Sequence, residues 1–444
     1  MDRRLVEGPP RKSLWIYSLP LLFSVVFQQL YNIADSIIAG RFIGENALAA
    51  VGNASEITHL YTAVAIGSNI GCSVVVSQLF GGKKYKDVKT AITTAFCSFG
   101  VVCFFLVLFG YIFTPSILEA IKTPLEIYSE SWLYLKIYTA GVPFVLFYNV
   151  ATGIFSALGD SKTPFVFLAF SSLSNIFVDI LFVEGFGMNV DGVAWATLLC
   201  QGISCVLSLF VLYRKVKAIE TDGKTEFFSK SILGKIVSIS VPSIMQQSFI
   251  SVGNVIIQGV INSFGAAVIA GFTAAIKLNN IVTSCFTAIG NGMSTYTAQN
   301  IGAGKQERVK QGYKAGLLLQ YIVGAFFSLS FVFSGRFLVK SFMDSPTDDA
   351  VSAGFKFLLI VAPFYVLCAT KLVTDGILRG SGAVKYFTIA TFADLILRVI
   401  LSFVLSGYFE ETGVWLSWPI GWFVGMAFSL FFYFKGVWKI DRKA

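Results

Sequence analysis

The chain has 444 residues, of which 55% are hydrophobic and only 13% are charged, and its mean hydropathy is +0.73. Since a soluble domain carries about 25% charged residues, this composition excludes an ordinary soluble protein. The net charge of +9 does not indicate a nucleic-acid partner, because the Lys and Arg residues are divided among separate loops between apolar segments.

Apolar segments follow one another along the whole chain. Each is long enough, at roughly 20 residues or more, for a helix to cross a hydrocarbon core of ~30 Å. The segments lack the strict alternation and the turn signals of an outer-membrane barrel. We therefore predict an all-α integral membrane protein with twelve transmembrane helices, over residues 14–38, 46–79, 91–113, 131–158, 165–183, 193–213, 236–261, 267–299, 312–334, 352–378, 384–404 and 414–434.

Basic residues recur in alternate connections between these helices. They cluster at the N-terminus, in "GGKKYKDVK" after the second helix, in the long linker after the sixth, in "GKQERVKQGYK" after the eighth and at the C-terminus. The intervening loops carry acids instead, such as Glu119, Glu184, Asp348 and Glu411. Short loops rich in Lys and Arg stay on the cytoplasmic side. We therefore predict a multi-pass protein of the cytoplasmic membrane with both termini in the cytoplasm.

The residues that usually form metal or catalytic sites are sparse. All seven cysteines lie inside predicted spans, and none forms a C-x-x-C pair. The chain has one histidine and contains neither an H-E-x-x-H nor a G-x-S-x-G motif. We therefore predict that the protein is not an enzyme and that it binds no metal and no organic cofactor.

A sequence repeat relates the two halves of the chain. A shift of 221 residues takes Gly44 to Gly265, Gln78 to Gln299, Lys84 to Lys305 and Gly159 to Gly380. Chance similarity between apolar helices would match Leu, Ile and Val rather than Gly and Lys in loops. We predict two six-helix lobes, at residues 1–220 and 221–444, arranged as parallel repeats because each half has an even number of spans. Such halves typically enclose a transport pathway.

A carboxylate lies within the first predicted helix, in "FQQLYNIADSIIAG". Gln28, Asn32 and Asp35 recur at i, i+4 and i+7, so they share one helix face. An Asp at the centre of a transmembrane helix costs roughly 2.5–3.5 kcal/mol on insertion scales. We therefore expect this polar stripe to face the interior of the bundle.

Two further helices of the first half carry polar stripes. The fifth has Asn175 and Asp179 at i and i+4, and the sixth has Thr197 and Gln201 at the same spacing. If these stripes converge on Asp35, two carboxylates share a pocket with no Lys or Arg nearby in sequence. Such a pair needs a proton or a metal cation such as Na⁺ for balance. The alternative is a set of interhelical hydrogen bonds, each contributing about 0.6 kcal/mol on average.

The second half keeps amides at the matching positions and lacks the unbalanced acids. With the offset one residue longer, at 222, Asn32 aligns with Asn254, but Asp35 aligns with Ile257. The later helices of this half pair their charges at helical spacing, with Asp394 and Arg398 as one set and Lys371, Asp375 and Arg379 as another. We therefore expect any coupling-ion site to lie in the first half.

These motifs together resemble the multidrug and toxic compound extrusion (MATE) family over nearly the whole chain. The resemblance rests on "SLPLLFSVVFQQLYNIADSIIAGRFIGENALAAVG", "VVVSQLFGGKKYKDV", "FYNVATGIFSALGDSKTPF", "SNIFVDILF" followed by "GVAWAT", and "LVTDGILRGSGAVKYF". It implies a V-shaped pair of six-helix lobes that exports bulky, often cationic aromatic compounds in exchange for H⁺ or Na⁺. By this resemblance the cation-coupling residues are Asp35, Asn175, Asp179 and Thr197. Some relatives also use a seventh-helix Glu, which this sequence lacks.

The sequence thus predicts a cation-coupled antiporter that works by alternating access, as a monomer, on small organic substrates. Candidate residues of the substrate cleft are Tyr31, Tyr61, Tyr148, Gln247, Asn254 and Gln258. The alternative is a flippase for lipid-linked oligosaccharides or other amphiphiles from the same wider superfamily. A flippase would hold a diphosphate with several cations, and only Lys371 and Arg398 are predicted deep within the spans.

Overall fold

The secondary structure follows the predicted spans. A computed structural model describes residues 3–38, 45–221, 223–343 and 346–439, and within these ranges it does not describe the side chains of residues 30–38, 45, 46, 48 and 56. All regular structure in these ranges is helical. The side chains of Tyr31, Asn32 and Asp35 therefore lie outside the described residues.

Within the described ranges, nine long helices are continuous, and a short helix precedes them. This short helix, Arg4–Glu7, comes first. It is followed by α1 (Pro10–Ile38), α2 (Glu45–Gly81), α3 (Tyr85–Ala120), α4 (Leu125–Ala157), α5 (Lys162–Ile180), α6 (Val190–Lys217), α7 (Lys230–Ile261), α8 (Ala266–Gly302) and α9 (Gln306–Ser341). Most extend beyond the predicted apolar segments, since polar turns continue a helix past the hydrocarbon. A π-helical turn, Leu181–Gly185, prolongs α5.

One break lies within the tenth span, and another separates the last two spans. Helix α10 (Asp348–Gly380) has a 3₁₀ turn, Ala362–Phe364, in its middle, where Pro363 cannot donate a backbone hydrogen bond. The helical run Val384–Lys435 is interrupted at Glu410, whose φ of 52° and ψ of −139° are not helical. We call its arms α11 (384–409) and α12 (411–435). Ten helical stretches of the described residues can cross a membrane by length and composition. With α1 added and α11 and α12 counted separately, the predicted total of twelve is reached, and the all-α fold class is confirmed.

Contacts divide the chain into two compact units. Unit 1 contains Val26–Ile244, and unit 2 contains Arg3–Val25 together with the residues from Met245 onward. Each unit thus includes the first part of the other half's first helix. The predicted boundary after residue 220 describes the sequence repeat, whereas the contacts follow a different division.

Hydrogen bonds explain the place of the N-terminal segment in unit 2. The Trp15 Nε1 donates to the Ala315 carbonyl at 3.0 Å, and Asn300 Nδ2 donates to the Leu5 carbonyl at 3.0 Å. In unit 1, the Ser229 backbone N–H donates to Thr94 Oγ1 at 3.1 Å. These contacts fix the first turns of α1 to unit 2 and the segment leading into α7 to unit 1.

Each unit has its own packed core. In unit 1, α4 packs closely on both α2 and α6, and Asn69 of α2 donates to the Asn149 carbonyl and to Thr152 Oγ1, both at 2.9 Å. In unit 2, aromatic rings dominate. The rings of Phe272 and Trp415 stack with centroids 5.0 Å apart, and Phe357 meets Trp415 edge-on at 5.2 Å.

Candidate functional site

The predicted ion site lies along the α5–α6 pair of unit 1. Ser171 Oγ of α5 donates to the Cys200 carbonyl of α6 at 3.2 Å, which fixes the register of the two antiparallel helices. One turn further along α5 lies Asn175, and about one turn back along α6 lies Thr197. Antiparallel helices bring such positions to the same level, so Asn175 and Thr197 lie at one height of the pair. Asp179 follows one turn beyond Asn175.

These three side chains are buried. Asn175 is 2% exposed, Asp179 is 0% exposed and Thr197 is 6% exposed. None of them is an isolated polar group, because each takes part in polar interactions. Polar groups stay buried inside a protein when such interactions compensate the loss of water. A carboxylate, an amide and a hydroxyl on two packed helices supply hard oxygen ligands and a group that can accept a proton.

No basic residue of these two helices can balance Asp179. The sequence contains no Lys or Arg between Lys162 and Arg214, a stretch that covers nearly all of α5 and α6. At the end of α6, Lys215 forms an ion pair with Asp160 in the connection before α5. Burial raises the pKa of Asp160, but hydrogen bonds from Lys215 and Thr163 outweigh it, so the pKa of this carboxyl lies below its ordinary value. Lys215 thus neutralises Asp160 at the end of the α5–α6 helix pair.

The supporting polar stripes fit the prediction only in part. Gln201 is half-buried on α6. The side chain of Gln28 is exposed, and that its face is turned to the bundle interior stays a prediction. Gln28 comes just after the point at which α1 passes from unit 2 to unit 1. Asn32 and Asp35 lie outside the described side chains, so the approach of Asp35 to Asp179 stays a prediction.

Two tyrosines predicted to line a substrate cleft have partners within unit 1. Tyr61 is 4% exposed and stacks on Tyr138 with ring centroids 6.3 Å apart, so it belongs to the core of unit 1. The hydroxyl of Tyr148 donates to the Pro164 carbonyl at 3.3 Å, at the start of α5. Periodicity predicted their helix faces but not which neighbours cover them. Tyr31 lies outside the described side chains.

The predicted amides of α7 are more open. Asn254 is exposed and Gln247 is half-buried. Gln258 Nε2 donates to Asn262 Oδ1 at 2.9 Å, at the end of the same helix. Asn254 and Gln247 therefore stay predicted substrate contacts, while the amide of Gln258 is engaged in a local hydrogen bond.

The charges of the second half form one buried network in unit 2. Lys371 Nζ lies 2.8 Å from Asp375 Oδ2 and 4.0 Å from Asp394 Oδ2, and Arg398 Nη2 lies 2.7 Å from Asp394 Oδ1. The predicted i,i+4 pairs Lys371–Asp375 and Asp394–Arg398 are confirmed, and Lys371 links them. Ser429 Oγ also donates to Asp375 Oδ1, at 2.5 Å.

Arg379 differs from the expectation that it balances Asp375. Its Nη2 donates to Asn291 Oδ1 of α8 at 2.7 Å, and its guanidinium lies over the ring of Phe387. The carboxylate of Asp375 already accepts hydrogen bonds from Lys371 and Ser429. The network therefore joins two cations, Lys371 and Arg398, with two carboxylates, and Arg379 lies beside it; all five side chains are almost fully buried.

Sequence reasoning missed one membrane-embedded cation, Lys277. It lies within the predicted span 267–299 and is exposed on α8. The signal was present in the sequence, because Thr273, Lys277, Asn280, Ser284, Thr287 and Asn291 recur at alternating intervals of four and three residues, which places them on one helix face.

Comparison with known proteins identifies similar chains along the full length. The family described as MatE matches residues 20–181 and 242–404. The "Probable multidrug resistance protein YpnP" of Bacillus subtilis is 27% identical over 441 residues, which cover 98% of this chain and 97% of that protein. The "FAD transporter" of Shewanella oneidensis is 23% identical, over 81% of this chain and 79% of that protein. A MOP superfamily transporter from Pyrococcus furiosus has a similar fold, with a TM-score of 0.92 at 21% identity over 98% of this chain and 97% of that chain.

Proposed function

The chain belongs to the MatE family, and on that premise we propose that it is a cation-coupled antiporter that exports bulky organic compounds. Members of this family are transporters, so the protein is a multi-pass membrane transporter and not an enzyme. The similar Bacillus subtilis protein is named for multidrug resistance, which supports drug-like substrates here. We place the protein in the cytoplasmic membrane, as a monomer with both termini in the cytoplasm.

One observation carries the coupling proposal, namely the buried carboxylate of Asp179 on a helix pair that contributes no cation near it. Asn175 lies on the same face of α5, and Thr197 lies at the level of Asn175 on α6. Asp35 of α1 would complete the set. Because burial disfavours a bare carboxylate and favours its protonated or cation-bound form, H⁺ or Na⁺ is expected to enter and leave at this position.

The inward electrochemical gradient of the coupling cation supplies the energy for export, and the membrane potential contributes wherever net charge moves inward. Moving one elementary charge across the membrane releases about 2.3 kcal/mol per 100 mV. In our proposal the substrate leaves on the outside, the cation then loads Asp35 and Asp179, and their neutralisation favours return to the inward-open state. The inward-open state releases the cation to the cytoplasm, and the cycle repeats. Binding and release of one cation thereby drive the change between the outward-open and inward-open states.

A flippase for lipid-linked oligosaccharides is not favoured. Such a protein needs several free cations to hold a diphosphate. In the described residues, Lys371, Arg379 and Arg398 already have carboxylate or amide partners. The buried network of unit 2 therefore supports the structure of that unit and leaves the coupling role to unit 1.

Transport by purified protein in lipid vesicles tests this proposal. Ethidium efflux is measured under a proton gradient alone and under a Na⁺ gradient alone, for the wild type, Asp179→Asn and Asp35→Asn. We expect one gradient to drive export by the wild type, which names the coupling ion, and neither gradient to drive export by either variant. The matched control is Glu184→Gln, which neutralises an exposed acid in the π-helical turn after α5 and should transport normally.

Insertion and thermal unfolding of each variant are compared with those of the wild type, so that a folding defect is recognised. Gradient-driven export by Asp179→Asn at the wild-type rate would refute the coupling role of this acid. Export by the wild type without any ion gradient would refute antiport itself.

A further inference from the structure

Every fully exposed residue of helix α8 is small or polar. These residues are Ala266, Ala270, Thr273, Lys277, Asn280 and Thr287, and the half-exposed Ser284 and Asn291 lie on the same side of the helix. We call Thr273 to Asn291 the polar face of α8. It extends over about 27 Å at 1.5 Å per residue, which is close to the thickness of the hydrocarbon core.

The same unit shows what a lipid-facing surface looks like in this protein. Helix α9 exposes Ile322, Phe326 and Phe333, and α11 exposes Ile396 and Phe403. Helix α8, all of whose residues the structure describes, exposes no large apolar side chain. The polar face of α8 is therefore not built for contact with acyl chains, and it borders water inside the membrane.

Snorkelling to the membrane surface does not explain this face. A long Lys side chain can extend its ammonium group from within the hydrocarbon toward the headgroups. Asn280 and Thr287 have short side chains and lie further along the helix than Lys277, and both are exposed. A lipid environment would leave these groups without water over several turns, at a cost that membrane helices avoid.

Lys277 provides the only formal charge of the polar face. Within the described residues its ammonium group forms no ion pair and no hydrogen bond, and the same holds for the amide of Asn280 one turn away. At the far end of the face, Asn291 accepts from the buried Arg379. The face thus offers a free cation with an amide beside it, and it carries no carboxylate.

We propose that Lys277, with Asn280, binds an acidic group of the transported compound, a carboxylate or a phosphate. This inference deepens the proposed export function and rests on it. A free ammonium and a neighbouring amide are suited to an anionic oxygen, because charge-assisted hydrogen bonds are stronger than neutral ones. The substrates of this protein then include planar compounds that carry an acid, in addition to simple cations.

Two dyes that differ in one group provide the test. Rhodamine 6G is a cationic ethyl ester, and hydrolysis of the ester gives the same dye with a free carboxylate. Efflux of each is measured from vesicles containing the wild type, Lys277→Gln or Lys277→Arg. For the free acid we expect the KM of Lys277→Gln to rise about tenfold or more, as for the loss of one charge-assisted contact, and that of Lys277→Arg to stay near the wild type. The ester should show no change in KM with any variant.

The matched control is Lys340→Gln, which removes an exposed lysine near the end of α9 and should affect neither dye. Equal losses for both dyes in Lys277→Gln, or no loss for either, would overturn the proposal. Equilibrium binding of the two dyes to the purified protein gives a second readout with the same expectation. If the wild type exports neither dye under any gradient, export itself fails, and the binding measurement still decides the role of Lys277.

Discussion

Removing Asp394 should destabilise unit 2 strongly. This carboxylate lies 2.7 Å from Arg398 Nη2 and 4.0 Å from Lys371 Nζ, and both cations are almost fully buried. In Asp394→Asn the network retains two cations, Lys371 and Arg398, and one carboxylate, Asp375. Breaking a buried ion pair by removing one partner typically costs 3–5 kcal/mol, because the remaining charge is left without compensation. For a unit of about 220 residues this corresponds to a fall in Tm of roughly 6–20 °C.

Thermal unfolding of the purified protein in detergent measures this effect. The decisive comparison is the double variant Asp394→Leu with Arg398→Leu, which removes one charge of each sign and leaves the Lys371–Asp375 pair in place. Replacing both partners of a buried pair by apolar residues is often neutral, so the double variant should be clearly more stable than Asp394→Asn. A wild-type Tm for Asp394→Asn, or a double variant at least as unstable as the single one, would refute the electrostatic reasoning.

Three further predictions concern single positions. Because the pKa of Asp160 is lowered in the folded protein, the contribution of this carboxylate to stability is present above the ordinary Asp pKa and is lost as the pH falls through the folded value. Asp160→Asn should therefore lower the Tm at neutral pH and have the same Tm as the wild type in strong acid. A lower Tm of the variant in acid would contradict this. Glu410 has a φ of 52° between α11 and α12, which glycine adopts without strain, so Glu410→Gly should raise stability by about 1 kcal/mol, measured by thermal unfolding, and a lower Tm would argue against strain at this residue. A Cβ added at Gly376 would lie 2.5 Å from a main-chain oxygen of α8, so Gly376→Ala should lower the free energy of unfolding by about 1–3 kcal/mol. Gly259 has open space around it, so Gly259→Ala should be neutral or stabilising. Similar Tm values for the two variants would rule out the close approach of α10 to α8.

The architecture of this protein is readable from sequence because the bilayer dictates it. Segment length and hydropathy predict the twelve spans, since a membrane-crossing helix needs a minimum apolar length. The ends of the helices were less predictable. Helix α3 begins at Tyr85 and ends at Ala120, well outside the predicted 91–113, because its terminal turns are polar and extend past the apolar segment.

Side-chain pairing was predictable where one helix contains both partners. The spacing of Asp394 and Arg398 allows an ion pair, and the structure forms it. Arg379 has the same spacing from Asp375, but that carboxylate already pairs with Lys371 of the same helix and with Ser429 of α12, and Arg379 turns to Asn291 instead. Spacing along one helix says nothing about competition from neighbouring helices, and the burial of Tyr61 was missed for the same reason.

The exchange of helix segments between the units was also invisible in the repeat. A shift of 221 residues aligns related sequences, and it does not reveal which unit a segment packs against. Only the contacts of these segments show that the first turns of α1 belong to unit 2 and the first turns of α7 belong to unit 1.

This exchange has a consequence for biosynthesis. Residues 3–25 leave the ribosome first, yet the unit that they complete is synthesised last. The N-terminal segment is therefore inserted into the membrane before the helices that it packs against have been synthesised. The first unit, in contrast, can complete its packing as soon as residues 223–244 have been made. Separately expressed halves cut in the central linker should consequently each be incomplete and should assemble only when they are produced together.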